Sequence, residues 1–440
     1  MGLLTAACAA YASLAAWLWL TLAQGMFWRT DVRLPPRTAP ARWPSVAIVV
    51  PARDEAEVLP RTLPSLLAQD YPGDAEVILV DDGSTDGTAD LARRLAAARP
   101  GLPLTVTAPG DPAPGWTGKL WALRHGMALA RTARTARVGA APRAPPPPPP
   151  PPPRRGGGAA RRRRPAPRGP RGGGGGGAGP APTPAPEYLL LTDADIVHAP
   201  DSLRELVAAA TSADLDLVSQ MARLRVASAW EGLVVPAFVY FFAQLYPFRR
   251  VNRPGARTAA AAGGCVLLRT EAAVRAGVPD SIRQAVIDDV SLARAVQGSG
   301  GRIWLGLAER VESVRPYPSL ADLWRMVSRS AYAQLRHQPL LLAGTVAGLV
   351  LVYLVPPAAL LGGLAAGRPA LAWAGGLAWL LMAGTYAPML RHYRRPVLLA
   401  PALPFTALLY LLMTVDSAVQ HYRGRGAAWK GRTYARPSDA

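Results

Sequence analysis

Two pairs of aspartates stand next to apolar runs in this sequence and could do chemistry. Asp193 and Asp195 follow the leucines of LLLTDAD, and Asp288 and Asp289 lie in VIDDVSLARAV. Carboxylate oxygens are the ligands that Mg²⁺ and Mn²⁺ prefer, and a carboxylate can also act as a general base. On an extended chain, Asp193 and Asp195 point the same way. They therefore predict a site for Mg²⁺ or Mn²⁺ whose remaining ligands come from a diphosphate and water.

Both pairs also have a structural interpretation. LLLTDAD can be a core strand that ends in a polar turn, and Asp288 and Asp289 fit the N-cap and acidic first turn of the following helix. Lys119, in GWTGKLWALRHG, is a further candidate for a phosphate contact, although no Walker pattern precedes its glycine. From the residues alone, these alternatives stay open.

The elements that must position these side chains alternate between strands and helices. SVAIVVP and AEVILVDD are short apolar runs, and each is followed by a stretch with leucines at helical spacing. This alternation predicts an α/β fold with a mostly parallel, Rossmann-like sheet that binds ligands at the carboxyl ends of its strands. Residues 51–55, 81–86 and 193–195 all follow such strands. We therefore expect these three segments to meet in one cleft.

Apolar segments at both ends predict a membrane protein. Residues 3–28 carry no charge and can cross a hydrocarbon core of about 30 Å. No basic residue precedes this run, so residues 1–28 are predicted to be an uncleaved anchor and not a signal peptide. Apolar runs at 340–366, 369–390 and 397–415 predict about three membrane helices within residues 339–416. Core helices of a soluble domain are the alternative.

The basic residues predict the orientation of these segments. Arg29 and Arg33 follow the first apolar run, so the domain of residues 29–338 is expected to be cytoplasmic. The basic tail, residues 417–440, would lie outside if all four runs crossed. One C-terminal run, such as the one that contains Pro356 and Pro357, can therefore be re-entrant. A further apolar stretch, residues 230–250, fits either an interfacial helix or a core helix, and the run at 317–335 could lie along the membrane and close the active site.

The amino-acid composition indicates which classes of binding partner to expect. The 440 residues carry a net charge of +20, and half of them are apolar, which favours a membrane surface over DNA. Residues 131–186 hold twelve arginines, no acidic residue and runs of proline and glycine, so this insertion is predicted to be disordered. No aromatic residue interleaves its arginines, and we expect no nucleic-acid partner. Cys8 and Cys265 fit neither a disulfide framework nor a zinc site.

Six motifs occur in a familiar order: PARDE, VDDGSTDGT, GKLWAL, LLLTDAD, AAGGCVLLRTEAA and VIDDVSLARAVQGSGGRI. Together they resemble the motif series of the inverting family 2 nucleotide-sugar glycosyltransferases, which have the GT-A fold. The resemblance covers about residues 45–335 apart from the insertion. With the N-terminal run, PGWTGKLWAL, TAAAAGGC and the three C-terminal runs, the chain resembles in particular the hopene-associated glycosyltransferases of bacterial hopanoid biosynthesis. This resemblance implies a location in the bacterial inner membrane.

The resemblance also implies roles for individual residues. Those around the nucleotide base and ribose are Pro51, Ala52, Glu55 and Asp82, with Asp81 in support. Asp193 and Asp195 become the pair that binds the donor diphosphate through Mn²⁺ or Mg²⁺. Asp289 becomes the general base, with Asp288 beside it.

One motif departs from the family pattern. Processive members and the ceramide glucosyltransferases carry Gln-x-x-Arg-Trp after the base, whereas this chain has Gln334 and Arg336 one residue closer and no tryptophan. Both side chains are still expected to approach the diphosphate. The departure counts against a processive polysaccharide synthase.

These features predict a membrane-bound enzyme that moves one sugar from a nucleotide-diphosphate sugar to a lipid hydroxyl. The resemblance favours a UDP-sugar as donor and a hopanoid as acceptor. A processive polysaccharide synthase is the alternative among enzymes. A non-catalytic membrane scaffold that binds nucleotide sugar is the alternative from another class.

Overall fold

A mixed sheet forms the centre of the computed structural model, which describes residues 2–137, 185–424, 428–429 and 432–433. The strands of this sheet are β1 (Val46–Ala52), β2 (Ala75–Asp81), β3 (Leu104–Thr107), β4 (Tyr188–Leu191), β5 (Ile196–His198), β6 (Leu217–Arg223), β7 (Val266–Arg269) and β8 (Ile303–Ser313). Their order is β3-β2-β1-β4-β7-β6-β8-β5. Near the C-terminus, β9 (Ala428–Trp429) and β10 (Arg432–Thr433) form a separate antiparallel pair.

Most strands of the large sheet run in one direction. β3, β2, β1 and β4 are parallel neighbours, and β8 is parallel to β6. β7 is antiparallel to both β4 and β6, and the edge strand β5 is antiparallel to β8. The predicted mostly parallel α/β sheet is therefore confirmed.

Helices cover the sheet, and further helices precede β1 and follow β8 in the chain. They are α1 (Gly2–Leu22), α2 (Leu59–Leu67), α3 (Thr88–Ala97), α4 (Gly118–Arg137), α5 (Ser202–Ser212), α6 (Ala229–Leu245), α7 (Phe248–Val251), α8 (Thr270–Arg275), α9 (Asp288–Gly298), α10 (Leu320–Gln334), α11 (Pro339–Leu349), α12 (Val355–Ala365), α13 (Pro369–His392) and α14 (Leu403–Tyr422). A π-helical segment, Val350–Leu354, joins α11 to α12, and 3₁₀ turns occupy Asp280–Ile282 and Val397–Ala402.

The central strands are continuous apolar runs because helices cover both of their faces. All seven residues of β1 are buried. Helix α4 approaches β1 and β2 closely at Gly126, where an added Cβ would lie 2.5 Å from Val49 Cγ1 and 2.9 Å from Val80 Cγ2. This close approach fixes α4, and with it Lys119 in its first turn, against the strands.

Helix α4 also changes one predicted boundary. We predicted disorder from residue 131 onward, but α4 continues through Arg137. The sequence ARTARTAR explains the difference, since alanine and arginine have high helix propensity. The remainder of the predicted insertion, residues 138–184, lies outside the described residues.

Five helical segments of the described chain are long and apolar enough to cross a membrane. Four of them coincide with the predicted runs, namely Leu4–Leu22, Pro339–Ala365, Pro369–His392 and Val397–Tyr422. The fifth, Ala229–Val251, contains α6 and α7. The proline pair at 356 and 357 lies in the first turn of α12, directly after the π-helical segment, where missing N–H groups disturb the helix least.

Helix α6 is packed inside the protein. The Tyr240 hydroxyl is 2.8 Å from Thr385 Oγ1 of α13, and the Tyr410 hydroxyl of α14 donates to the Val234 carbonyl at 3.1 Å. Two thirds of this segment is buried. The packing therefore favours the core-helix interpretation of residues 230–250 over the interfacial one.

Helix α10 packs on α14. Trp324 Nε1 donates to Asp416 Oδ2 at 2.9 Å, and the Tyr332 N–H donates to Ser417 Oγ at 3.0 Å. A capping box between Ser319 and Asp322 begins the helix. A role for α10 in closing the active site stays a prediction.

Candidate active site

The loops that follow β1 and β2 are joined by hydrogen bonds. The Asp82 N–H donates to the Ala52 carbonyl at 2.9 Å, and the Ala56 N–H donates to Asp86 Oδ2 at 2.8 Å. Asp54 accepts a further bond from the Thr85 N–H at 2.8 Å. Residues 51–55 and 81–86 thus meet at one end of the sheet, as predicted.

Asp81, the last residue of β2, and Asp82, which follows it, are largely removed from water. Asp81 Oδ1 accepts from the Ser84 N–H at 2.9 Å, which shapes the turn of DDGS. Asp82 is 1% exposed, and Arg53 Nη1 lies 3.6 Å from its Oδ2. Of the predicted nucleotide-site residues, Asp81 and Asp82 therefore belong to a buried wall at this edge of the sheet.

Lys119 links two of the carboxylates that the sequence singled out. Its Nζ lies 2.9 Å from Asp193 Oδ1 and 3.0 Å from Asp288 Oδ2, and its side chain is only 19% exposed. Burial by itself would lower the pKa of Lys119, but the two carboxylates outweigh burial and raise it. Removal from water raises the pKa of Asp193, and Lys119 opposes that shift. The ammonium group therefore joins the end of β4 to the start of α9.

Asp289 has the surroundings of a general base. Its Oδ2 accepts from the Gly263 N–H at 2.9 Å and its Oδ1 from the Val290 N–H at 2.8 Å. Burial, followed by the neighbouring charge of Asp288, raises the pKa of Asp289 to about 6. Ile287 occupies the N-cap of α9, so Asp288 is not the cap and both aspartates lie in the first turn. The prediction of an acidic first turn is confirmed. In this position both carboxylates line the cleft.

Asp195 is held by a residue that sequence reasoning missed. Asp195 Oδ2 accepts from Ser313 Oγ and from Arg315 Nε, both at 3.0 Å. Arg315 Nη2 also donates to both carboxylate oxygens of Glu55, at 2.9 and 2.8 Å. Arg315 therefore ties the loop after β1 to the segment between β4 and β5.

The two aspartates of LLLTDAD lie in a turn between β4 and β5, whereas we expected an extended chain. The Ile196 N–H donates to the Asp193 carbonyl at 3.3 Å. Asp193 contacts Lys119 and Asp195 contacts Arg315, so the pair is held between two cations. The turn forms because β5 leaves β4 to pair with the distant strand β8.

A cavity lies over these groups. Its polar lining comes from Lys119, Thr192, Asp193, Gly263, Asp288 and Asp289, and Pro51 forms part of its wall. Leu120, Leu123, Met127 and Leu292 are among its apolar lining residues. Five predicted site residues, Pro51, Lys119, Asp193, Asp288 and Asp289, therefore line one space.

Gln334 and Arg336 are not brought to this cluster. Gln334 Nε2 donates to the Tyr246 hydroxyl, and Arg336 is exposed in a turn after α10 with φ of 52°. Among the described residues, neither side chain has a hydrogen bond or ion pair to the carboxylate cluster. The reason is the packing of α10 on α14, which carries the end of α10 to Tyr246. The prediction that both approach the diphosphate has no support in this geometry.

Gly263 is the second functional residue that sequence reasoning did not assign. It donates its N–H to Asp289, and an added Cβ would lie 3.4 Å from Lys119 Nζ. The available signal was the GGC triplet directly before β7, because paired glycines before a buried strand mark a close approach of backbone and ligand. Arg315 had a weaker signal, a single cation just beyond the end of β8.

The protein family is shown by sequence. Residues 44–333 match the family described as glycosyltransferase like family 2. The chain belongs to this family. Its glycosyltransferase region thus runs from just before β1 to the end of α10.

Shorter segments of this family 2 glycosyltransferase match named relatives. A stretch of 97 residues is 40% identical to the 4,4'-diaponeurosporenoate glycosyltransferase of Staphylococcus aureus strain bovine RF122 / ET3-1, covering 22% of this chain and 24% of that protein. A stretch of 64 residues is 36% identical to glycosyltransferase AglE of Haloferax volcanii, covering 14% of this chain and 21% of that protein. The matches thus span about a quarter or less of the relatives' own length.

The fold of this glycosyltransferase has a solved counterpart. It is similar to the mannosyltransferase PcManGT of Pyrobaculum calidifontis, which was solved in complex with GDP-Man and Mn²⁺. The TM-score is 0.52 and the identity 19%, with 94% of this chain and 99% of that one covered. At this identity the likeness concerns the fold. Together with the family match, it confirms the predicted GT-A fold.

Proposed function

We propose that this protein is a membrane-bound inverting glycosyltransferase that transfers a sugar from a nucleotide-diphosphate sugar to a lipid hydroxyl. The observation that carries the proposal is the cavity in which Lys119, Asp193 and Asp289 face one another at the end of the sheet. This reaction needs a cation for the diphosphate, a carboxylate for the metal and a carboxylate that can accept a proton. Lys119, Asp193 and Asp289 supply these three groups in that order.

The carboxylate oxygens of Asp193 and Asp195 are suitable ligands for a divalent metal ion. Asp193 and Asp195 offer carboxylate oxygens from one turn, and such oxygens are the ligands that Mg²⁺ and Mn²⁺ prefer. Lys119 contacts Asp193 and Asp288, and Arg315 contacts Asp195 and Glu55. With Asp289 beside Asp288, these contacts gather five carboxylates around two cations, which leaves an excess of negative charge among these groups. In the described part of the chain, no three His, Cys, Asp or Glu residues form a complete metal site. We infer that Asp193 and Asp195 hold Mn²⁺ or Mg²⁺ together with diphosphate oxygens, where the ion would offset the charge that grows on the leaving diphosphate.

The residues of the chain supply the remaining chemistry. Asp289 takes the proton from the acceptor hydroxyl as that oxygen attacks the anomeric carbon. The new C–O bond forms as the bond to the diphosphate breaks, and the electron pair leaves with the diphosphate. Lys119 offers its ammonium group to the departing phosphate. Attack from the face opposite the leaving group inverts the anomeric carbon.

The nucleotide is proposed to lie along the wall made by β1 and β2. Pro51, Ala52 and Asp82 stand at the carboxyl ends of these strands, and Glu55 lies beside them with Arg315. This is the edge at which parallel sheets bind ligands. UDP is the proposed nucleotide, on the motif resemblance. The related fold solved with GDP-Man makes GDP the second candidate to test.

The acceptor is proposed to be a lipid. Five apolar helical segments support membrane attachment, and one relative is named for diaponeurosporenoate. The motif resemblance points to a hopanoid and to a bacterial inner membrane with the catalytic domain in the cytoplasm. The basic residues that follow the first apolar run agree with that orientation.

Two experiments test this function. Mass spectrometry of lipids from cells with and without the protein should show one glycolipid that depends on it. The purified protein should release nucleoside diphosphate from a UDP-sugar when Mn²⁺ and the lipid are present. Asp289→Asn should abolish release and retain donor binding, whereas Asp90→Asn, an exposed aspartate of α3, should leave both unchanged.

Three results would contradict different parts of this proposed function. Unchanged release in Asp289→Asn would remove the base assignment. Donor binding with no turnover on any lipid would favour the scaffold alternative. A long glycan as product would favour a polysaccharide synthase.

A further inference from the structure

A second cavity lies where the catalytic domain meets the membrane helices, and it shares no lining residue with the first. Its volume is about 290 Å³. Four arginines line it: Arg61 of α2, Arg223 at the end of β6, Arg225 just after it, and Arg394 after α13. We call this space the arginine cavity. Much of the remaining lining comes from the end of β8 and the residue after it, Glu312, Ser313 and Val314, and from Tyr393.

The arginine cavity has a large excess of positive charge. Arg225 Nη1 lies 3.3 Å from Glu231 Oε1, which also accepts from the Tyr317 N–H at 2.8 Å. Within the described ranges, the side chains of the other three arginines make no ion pair or hydrogen bond. Glu312 is the one acidic residue of the lining, and it forms no ion pair within those ranges either. Like charges gathered in one cavity repel one another, so an anionic ligand would stabilise this arrangement.

The position of the cavity indicates where such an anion comes from. Arg394 follows directly on α13, a segment long and apolar enough to cross a membrane. Four residues further on, Leu398 is 91% exposed, and Trp373 of α13 is 78% exposed. Large apolar side chains this exposed fit contact with acyl chains. The arginines therefore lie at the end of a lipid-facing helix, at the level expected for head groups.

Local packing holds the cavity in place. An added Cβ at Gly232 would lie 2.5 Å from Arg395 Nη2, so the turn after α13 is packed tightly on the start of α6. On the opposite side, Ser313 Oγ and the Val314 N–H both bind Asp195, at 3.0 and 2.9 Å. The arginine cavity is therefore a built feature between the membrane helices and the end of β8.

We propose that the arginine cavity binds the phosphate group of an anionic membrane lipid. Guanidinium groups form bidentate hydrogen bonds with phosphate oxygens, and several can share one phosphate. The acyl chains of the lipid lie along α13 and the turn that contains Leu398. The lining of this cavity contains none of the residues proposed to bind the sugar donor, and its Ser313 contacts one of them, Asp195.

Native mass spectrometry of the full-length protein in detergent tests the proposal. Phosphatidylglycerol should be retained more strongly than phosphatidylcholine. Arg223→Gln and Arg394→Gln should each weaken that retention about tenfold. Arg99→Gln is the matched control, since Arg99 is exposed at the end of α3 and lies outside the cavity. Retention unchanged in both cavity variants would overturn the site.

A third variant and two further measurements distinguish loss of the site from loss of the fold. Arg61→Gln alters an exposed cavity arginine of α2, so it provides a readout if the other variants unfold. Donor binding by each variant shows that the fold is intact. Calorimetry with inorganic phosphate separates the sources of the anion: micromolar binding of free phosphate with equal retention of both lipids would overturn the lipid as ligand. Selective retention of phosphatidylglycerol, lost in the cavity variants, supports it.

Discussion

Asp289 determines how the proposed activity should depend on pH. A general base must be ionised, and burial and Asp288 raise the pKa of this carboxyl to about 6. The ionised form therefore dominates above pH 6 and is lost below it. We expect kcat/KM to fall about tenfold per pH unit below that pKa and to be level just above it. A pH profile of nucleoside diphosphate release measures this, and a level profile down to pH 5 would contradict the assignment.

Lys119 is the residue on which the cluster depends most. Replacing it with methionine keeps the length of the side chain but leaves Asp193 and Asp288 facing each other without a cation. Loss of one partner in a buried ion pair costs about 3 kcal/mol. We expect Lys119→Met to lower the midpoint of thermal unfolding and the turnover rate together. Lys119→Arg, which keeps the charge, should retain most of the thermal stability, and equal melting of all three proteins would refute the role.

Arg315 connects three elements at the site. It joins the end of β8 to Glu55 after β1 and to Asp195 before β5. Residues that orient metal-binding side chains affect metal affinity by about ten- to a hundredfold when they are changed. We expect Arg315→Gln to raise the Mn²⁺ concentration needed for half-maximal activity by at least tenfold while Asp289 keeps its pH profile. Arg310→Gln is the control, because Arg310 of β8 donates to Asp201, the N-cap residue of α5, at 2.8 Å.

Helix α4 is fixed to the sheet by a glycine. The Cβ of alanine at position 126 would lie 2.5 Å from Val49 Cγ1, well inside contact distance. Overpacking of this kind costs about 1–3 kcal/mol. We therefore expect Gly126→Ala to lower thermal stability and, through Lys119 at the start of α4, the turnover rate. Gly298→Ala should be neutral or slightly stabilising in the same melting experiment, because nothing lies within 4 Å of its added Cβ.

At the scale of the whole molecule, the N-terminal helix packs with the C-terminal helices. Trp17 of α1 is fully buried, and its Nε1 donates to the Val352 carbonyl at 2.7 Å. Its ring meets that of Tyr353 edge to face, with centroids 5.5 Å apart. Trp19, two residues further along, is 53% exposed. Helix α1 therefore packs into one helical unit with the helices that follow β8.

This packing predicts different effects of two tryptophan substitutions. Trp17→Ala should cost about 3–5 kcal/mol, because it leaves a cavity and an unsatisfied carbonyl. Trp19→Ala should cost far less, since its ring faces outward. Thermal unfolding of the detergent-solubilised protein compares them, and similar melting temperatures would contradict the packing of α1 against the C-terminal helices.

Much of this molecule follows from local sequence patterns. The apolar runs gave β1, β2, β4 and the helical segments at both ends, because burial on both faces of a strand and membrane insertion each leave a periodic or continuous apolar signal. Asp193, Asp195, Asp288 and Asp289 could be singled out for the same reason, since each pair adjoins such a run. The expected meeting of residues 51–55, 81–86 and 193–195 followed from the rule that parallel strands end at the same edge, whereas the place of Asp288 and Asp289 beside them was implied only by the motif resemblance.

Only the tertiary structure decided which side chains touch. Arg315 reaches Asp195 because β8 pairs with β5, and Gly263 reaches Asp289 because β7 lies reversed between β4 and β6. Gln334 turns to Tyr246 because α10 packs on α14. The arginine cavity joins residues more than 300 positions apart. Strand order and helix packing depend on contacts between residues far apart in the sequence, so no local periodicity predicts them. The strand ends and their carboxylates, by contrast, can be predicted from residues that are adjacent in the sequence.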